Sequence, residues 1–460
     1  MADRAADPAG LSVETLIARV ERLPVTFWFV RARLIVGAAT FFDAFDVLTI
    51  SVALPVLVGV WRLNPSEVGF IISAGFVGQL AGALFFGWMA ERFGRLRALA
   101  YSVAVLGLMS LACAAAWSYG SLLLFRTIQG FGIGGEVPVA ATYINELSKA
   151  HRRGRFFLLY EMIFGVGLTS AALIGYWVVP RLGWRSMFIL GALPALLVLR
   201  LRRMLPESPR WLASKGKLAE AEEVIRQMEN YALRSGALME PVRSQVGTSM
   251  PAKTLVTRWQ ELFSQRYLRR TLTVWAIWFC CYFVTYGLTT WLPTIYRTVF
   301  KLDVATALRF ALATNLAGLA GDFLVALTID RLGRRVWLGA AFAIGAVPLA
   351  ALGFAATPNA QLVALGASIS YVFVASNSLV CYLYTPEIYP TRLRALGSGV
   401  ATAWLRAGSA LGPALVGFIL TRHDLGAVFW MFAIVSVVGA VVAAFFAVET
   451  RERVLEEVSP

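Results

Sequence analysis

Long apolar runs separated by short polar connections dominate the chain. The runs are about twenty residues long and continuously apolar, the length a helix needs to cross the hydrocarbon core. Barrel strands would be about ten residues and would alternate in polarity. Lipid offers the backbone no hydrogen-bond partner, so each run is expected to be a helix. Twelve spans are predicted, at 34–60, 68–90, 98–116, 121–145, 156–179, 186–201, 271–296, 306–329, 336–356, 361–384, 397–421 and 427–447. The sixth is short by that rule.

The spans divide the chain into a tail (1–33), a six-helix bundle (34–201), a polar linker (202–270), a second six-helix bundle (271–447) and a closing tail (448–460). Within the linker, Leu218, Ala221, Val224, Ile225 and Met228 recur at helical spacing among charges. This predicts a helix over 217–234 lying at the membrane surface; a flexible linker with a helical patch is the alternative.

Composition agrees with this pattern. The chain is 58% hydrophobic and 15% charged, with a mean hydropathy of +0.68, whereas a soluble domain carries about 25% charged residues. Cys113, Cys280, Cys281 and Cys381 all fall in apolar runs, and no Cys/His grouping predicts a metal or cofactor. The first thirty residues lack the apolar core of a cleavable signal.

The net charge of +15 raises nucleic-acid binding, but the basic residues gather at the ends of the runs. With the N-terminus placed in the cytoplasm, 33 of the 42 Lys/Arg lie on that side. The positive-inside bias therefore predicts cytoplasmic termini and a multi-pass cell-membrane protein.

The two halves carry matching punctuation. Glu91-Arg92-Phe93-Gly94-Arg95 follows the second span and Asp330-Arg331-Leu332-Gly333-Arg334-Arg335 the eighth. Glu146 and Glu387 close the fourth and tenth spans, and Glu207 and Glu449 follow the sixth and twelfth. The partners are separated by 239, 241 and 242 residues, the mark of a duplicated six-helix unit.

With the loops just quoted, Arg126-Thr127-Ile128-Gln129-Gly130, Pro206-Glu207-Ser208-Pro209-Arg210 and Pro386-Glu387, the chain resembles the major facilitator superfamily over essentially its whole length. The resemblance implies an all-α membrane protein: two pseudo-symmetric six-helix bundles that rock about a central site. It also implies a monomer acting on a small molecule and protons within the lipid bilayer.

Pro-Glu-Ser-Pro-Arg and Glu449-Thr450 resemble sugar porters, but the seventh span lacks their paired glutamines. Phe42-Asp43-Ala44-Phe45-Asp46, Gly134-Gly135-Glu136-Val137-Pro138-Val139 and Thr290-Trp291-Leu292-Pro293-Thr294 are closer to the bacterial nicotinate transporter group and its organic-ion relatives. The Asp-x-x-Asp pattern also resembles the aromatic acid:proton symporters.

Ionisable residues in a bilayer cost at least about 2.5–3.5 kcal/mol each on insertion scales, so each is a candidate for function. Asp43 and Asp46 lie three apart on one helix face. Two such carboxylates raise the proton affinity of one, which suits a proton carrier; the alternative is a structural pair with Arg126. Arg126, Gln129 and Glu136 form a stripe on the fourth span, read either as a proton relay with Asp43 or Asp46 or as a buttress.

Arg406, midway along the eleventh span, presents a permanently charged fork suited to a carboxylate. It is the candidate anchor for an organic anion, a part that an arginine in this span plays in organic-anion relatives; a pair with Asp322 is the alternative. Asn315 and Asp322 share a stripe on the eighth span, and Asp322 can accept a cation. Trp275, Trp278, Tyr282 and Tyr286 line one side of the seventh span, as an aromatic-binding surface or as packing.

Glu161 is either a gate ion pair or a transport residue. The motif loops (Glu91, Arg92, Arg95, Glu146; Asp330, Arg331, Arg334, Arg335, Glu387) are assigned to gating, where their charges can meet helix ends and the opposite half.

The expected function is therefore secondary active transport, proton-coupled, of a small organic anion such as nicotinate or another aromatic carboxylate. A sugar or organic-cation transporter and a non-transporting membrane sensor are the alternatives. No phosphate-binding Gly-x-x-x-x-Gly-Lys-Ser/Thr loop suggests an ATP-driven pump. Neither histidine falls in a span and no Ser/His constellation suggests an enzyme.

Overall fold

The structure is a computed structural model that describes residues 12–24, 26–147, 153–196, 204–236, 259–355 and 358–451, with the side chains of 14, 145, 153–162, 391, 392 and 395 excepted. Every regular element among them is a helix. A short amphipathic helix, α1 (Val13–Arg22), precedes the first bundle: α2 (Phe27–Trp61), α3 (Pro65–Phe93), α4 (Arg95–Ala114), α5 (Tyr119–Leu147), α6 (Arg153–Leu182) and α7 (Arg185–Gly191). Two linker helices follow, α8 (Pro209–Ser214) and α9 (Leu218–Arg234). The second bundle is α10 (Leu268–Thr298), α11 (Val304–Leu332), α12 (Arg334–Phe354), α13 (Ala360–Glu387), α14 (Thr391–Arg422) and α15 (Leu425–Phe446). Ten of these helices are long and apolar enough to cross a membrane by length and composition.

Helices outrun the apolar runs that revealed them. The first starts at Phe27 rather than 34, because helical backbone hydrogen bonding does not stop where the apolar run does. At the face of the molecule away from the termini, caps are local. Asn64 and Glu67 exchange hydrogen bonds of 2.9 Å at the start of α3. Asp303, Asn359 and Asp424 receive N–H groups at the starts of α11, α13 and α15. Each satisfies a donor that would otherwise be orphaned in or near lipid.

Inside the first bundle α3 and α5 touch backbone to backbone. A Cβ on Gly78 would lie 2.0 Å from the Thr127 carbonyl oxygen, and one on Gly130 would lie 2.0 Å from that of Gly75. Only glycine permits this approach, the packing mode small residues give to membrane helices.

The halves meet mainly along three helix pairs. Ser51 of α2 donates to the Thr289 and Thr290 carbonyls of α10 at 2.9 and 3.1 Å. Ser73 of α3 donates to the Ala410 carbonyl of α14 at 2.6 Å. Gly165 of α6 faces Asp322 of α11. Toward the face away from the termini the seam is tight: Ser66 and Thr421 hydroxyls lie 3.0 Å apart, and a Cβ on Gly417 would lie 2.4 Å from the Pro65 carbonyl oxygen.

The linker helix forms over Leu218–Arg234, and its apolar face is buried against protein. Ala221, Val224, Ile225 and Met228 pack with Leu16, Val20 and Leu23 around α1 and with Trp211 and Leu212 of α8. Arg19 and Arg22 of α1 grip Glu229 at 2.7 and 2.5 Å, and Arg210 pairs with Glu21. Ser12 with Leu16, Val20 and Leu23 at helical spacing is the sequence signal for α1, short enough to pass for tail.

Candidate functional site

A cavity opens between the bundles at mid-depth. Seven helices contribute polar side chains, among them Thr40 and Asp43 from α2, Gln79 from α3, Thr169 from α6, Tyr282 and Tyr286 from α10, Asn315 and Asp322 from α11, Tyr371 and Tyr382 from α13, and Arg406 from α14. Apolar Val47, Phe164, Leu168 and Leu405 are among the rest of the lining. An apolar chamber with a few convergent polar groups is the usual form of a small-molecule site.

Arg406 is the most unusual member. It is only 7% exposed, and its contacts are two long ones to carbonyls, Thr402 at 3.3 Å and Gly134 at 3.5 Å. Its Nε has no partner. Among the described residues no carboxylate pairs with it, so the expected alternative, an ion pair with Asp322, is not formed. A buried permanent cation held by weak carbonyl contacts is costly unless an anion joins it.

The two aspartates of α2 separate. Asp46 is fully buried and pairs with Arg126 at 2.6 Å. Gln129 donates to the other oxygen of Asp46 at 2.6 Å and to Ser110 at 2.6 Å, and accepts from Arg126 at 2.6 Å. This closed network fits the structural alternative for Arg126. Asp43, nearly one turn earlier, lines the cavity. Glu136, ten residues along α5, also meets α2, where it accepts from Thr40 at 2.8 Å.

Several predicted contacts fall elsewhere. Gln129 is a correction: the Asp46 network uses up its hydrogen-bonding groups away from the cavity. Trp278 is another. It lies 1% exposed behind Tyr282, stacked on it at 5.7 Å, and its N–H goes to Thr385 at 2.9 Å. Trp275 stacks on Trp404 at 5.3 Å. Tyr282, Tyr286, Asn315, Asp322 and Arg406 line the cavity. The sequence reading missed Thr40, Gln79, Tyr371 and Tyr382, uncharged side chains that nothing in their runs singles out; facing tyrosines on α10 and α13 become a pair only once the helices pack.

The motif loops form two related networks at the terminus-bearing face. Arg95 pairs with Glu146 and Glu91, both at 2.9 Å, while Glu207 accepts the Arg95 and Leu96 N–H groups at 3.0 and 3.2 Å. In the second half Arg334 pairs with Glu387 at 3.3 Å and Asp330 at 3.2 Å, and Glu449 accepts the Arg334 and Arg335 N–H groups at 3.0 and 3.1 Å.

Gly94 and Gly333 precede these helices with φ +112 and +90. A glycine has no side chain to cap with, so a distant glutamate supplies the negative charge that a helix N-terminus favours. Burial pushes the Glu207 carboxyl above its ordinary range against the pull of those N–H donors and Arg95. Every pair in these networks stays within its own half. Arg92 and Arg331 are exposed and make no ion pair among the described residues. The Glu161 side chain lies outside the described residues.

Comparison with known proteins agrees with this geometry. A family described as "Sugar (and other) transporter" matches residues 45–460. The niacin transporter NiaP of Acinetobacter baylyi is 36% identical over 96% of this chain and 99% of its own. The putative niacin/nicotinamide transporter NiaP of Bacillus subtilis is 31% identical over 92% and 96%. Among solved structures, a partially occluded inward-open form of the xylose transporter XylE from Escherichia coli superposes with a TM-score of 0.72 at 22% identity, covering 93% of this chain and 100% of that one. That likeness speaks to the fold.

Proposed function

The chain belongs to the sugar (and other) transporter family of the major facilitator superfamily, and from that premise we propose that it carries a small aromatic carboxylate, nicotinate foremost, in symport with protons. It works by alternating access in the inner membrane of a bacterium, with both termini in the cytoplasm. The observation that carries the substrate class is Arg406: a buried guanidinium in the central cavity, unpaired with any carboxylate among the described residues, flanked by tyrosines that can stack a ring. The names of the two niacin-transporter relatives point the same way. A neutral sugar would leave that charge uncompensated.

The proton role falls to Asp43, the α2 carboxylate at the cavity wall, on the half opposite Arg406. The test is uptake into proteoliposomes over a panel of carboxylates, sugars and amines, with and without an inward proton gradient. Nicotinate accumulation that collapses with the gradient, and carboxylate binding lost in Arg406→Ala, are expected. Accumulation indifferent to the gradient would end the symport reading, and unchanged carboxylate affinity in Arg406→Ala would end the anchor.

A further inference from the structure

Asp322 is the second charge of the cavity left without a protein partner. It sits on α11, seven residues from Asn315 and on the same face, and both line the chamber. Among the described residues it forms neither a hydrogen bond nor an ion pair. Its place is well defined nonetheless. One carboxylate oxygen lies over Gly165 of α6, 3.2 Å from where a Cβ would stand. One turn before it, Gly318 lies against the ring of Tyr371. Glycine on both sides clears a slot for the acid at the seam between the halves.

Arg406 and Asp322 thus open onto one chamber with opposite charges, and they do not neutralise each other. The chamber's remaining charged side chain, Asp43, belongs to the first half and is not free. The titratable groups that face the chamber besides these three are Tyr282, Tyr286, Tyr371 and Tyr382, none of them a cation. Among the described residues, therefore, no cation in the lining pairs with Asp322. A protein that holds a lone acid and a lone base apart in one cavity is complementary to a ligand with an acid at one end and a basic atom at the other.

Resting on the reading of Arg406 as a carboxylate anchor, we propose that Asp322 is the subsite for a basic ring nitrogen, so that the cavity selects an amphoteric heteroaromatic acid over a simple aromatic acid. One proton lies between the Asp322 carboxyl and the ring nitrogen, whichever carries it, while the carboxylate of the ligand meets Arg406. An analogue with carbon in place of nitrogen leaves Asp322 buried against C–H. A site built to bond a polar atom discriminates strongly against such an analogue. Asp322 acts here as a specificity-determining residue and not as the proton carrier.

Equilibrium binding to the purified full chain in detergent tests this, with nicotinate and benzoate as the probes. Wild type is expected to bind nicotinate at least about tenfold more tightly than benzoate. Asp322→Ala should remove that preference by weakening nicotinate and leaving benzoate bound as tightly as before or more so, and Arg406→Ala should weaken both acids. Equal wild-type affinities for the two acids, both lost in Arg406→Ala, would keep the anion site and overturn the assignment of Asp322; this comparison needs no Asp322 variant to fold. Retained preference in Asp322→Ala would overturn it as well. If wild type binds neither acid, both readings fall together.

Discussion

Arg126 holds Asp46 at 2.6 Å, and that pair turns Asp46 away from the cavity that Asp43 lines on the same helix. Two carboxylates that look equivalent in sequence therefore have different surroundings. Asp46 is locked by a cation and an amide. Asp43 stands where an ion or a ligand entering the cavity meets it.

The Asp46 network should be a stability element. Removing one partner of a buried ion pair strands the other, at a cost of about 3–5 kcal/mol. Asp46→Ala and Arg126→Ala should each lower thermal stability in detergent by that order. The double variant should lose much less than the two losses combined. Additive losses would show that the 2.6 Å contact carries little energy.

Asp43→Asn should separate binding from coupling. The variant keeps the size of the side chain and removes its titration. Exchange of nicotinate across proteoliposomes without a gradient should persist, and gradient-driven accumulation should fall at least about tenfold. Full accumulation in the variant would move the proton to another residue.

What was legible in the sequence follows from scale. A span reveals itself in one run of apolar residues, and a duplicated unit in landmarks such as Glu146 and Glu387, 241 residues apart. Charges inside spans stand out for the same reason, and Arg406, Asp43 and Asp322 are visible that way. Which neighbour each charge meets depends on helix rotation and packing, and one sequence does not encode that locally. Hence Gln129 and Trp278 were read as lining and are found behind it. Glu207 and Glu449 were visible as a repeat, while their work as caps for helices that follow Gly94 and Gly333 appears only in three dimensions.

Acid should loosen α1 from the linker helix. Burial raises the Glu229 carboxyl, but the hydrogen bonds and charges of Arg19 and Arg22 prevail and hold it below its ordinary value of 4.5. A carboxyl whose folded pKa is depressed contributes stability that is present above the unfolded pKa and lost as pH falls through the folded one. Hydrogen exchange of the amides of Val13–Arg22 should therefore accelerate as pH drops below the ordinary carboxylate range, after correction for intrinsic rates. Glu229→Gln should show fast exchange already at neutral pH. Protection in Glu229→Gln equal to wild type would assign the clamp to Leu16, Val20 and Leu23 alone.

The seam away from the termini should open during turnover. Ser66 of α3 and Thr421 of α14 lie 3.0 Å apart through their hydroxyls, on opposite halves, beside the contact of Ser73 with the Ala410 carbonyl. At the other face each motif network is closed within its own half. Rocking of one bundle against the other must break the first set of contacts to admit solute from that side. A disulfide needs Cβ atoms about 3.5–4.5 Å apart, a spacing this pair can approach. The variant carrying Ser66→Cys and Thr421→Cys should therefore transport when reduced and lose net transport when oxidised. Binding of nicotinate to the oxidised protein in detergent should persist, because the cavity is already present with these contacts made. Transport that survives verified oxidation would mean that the halves do not part at this seam.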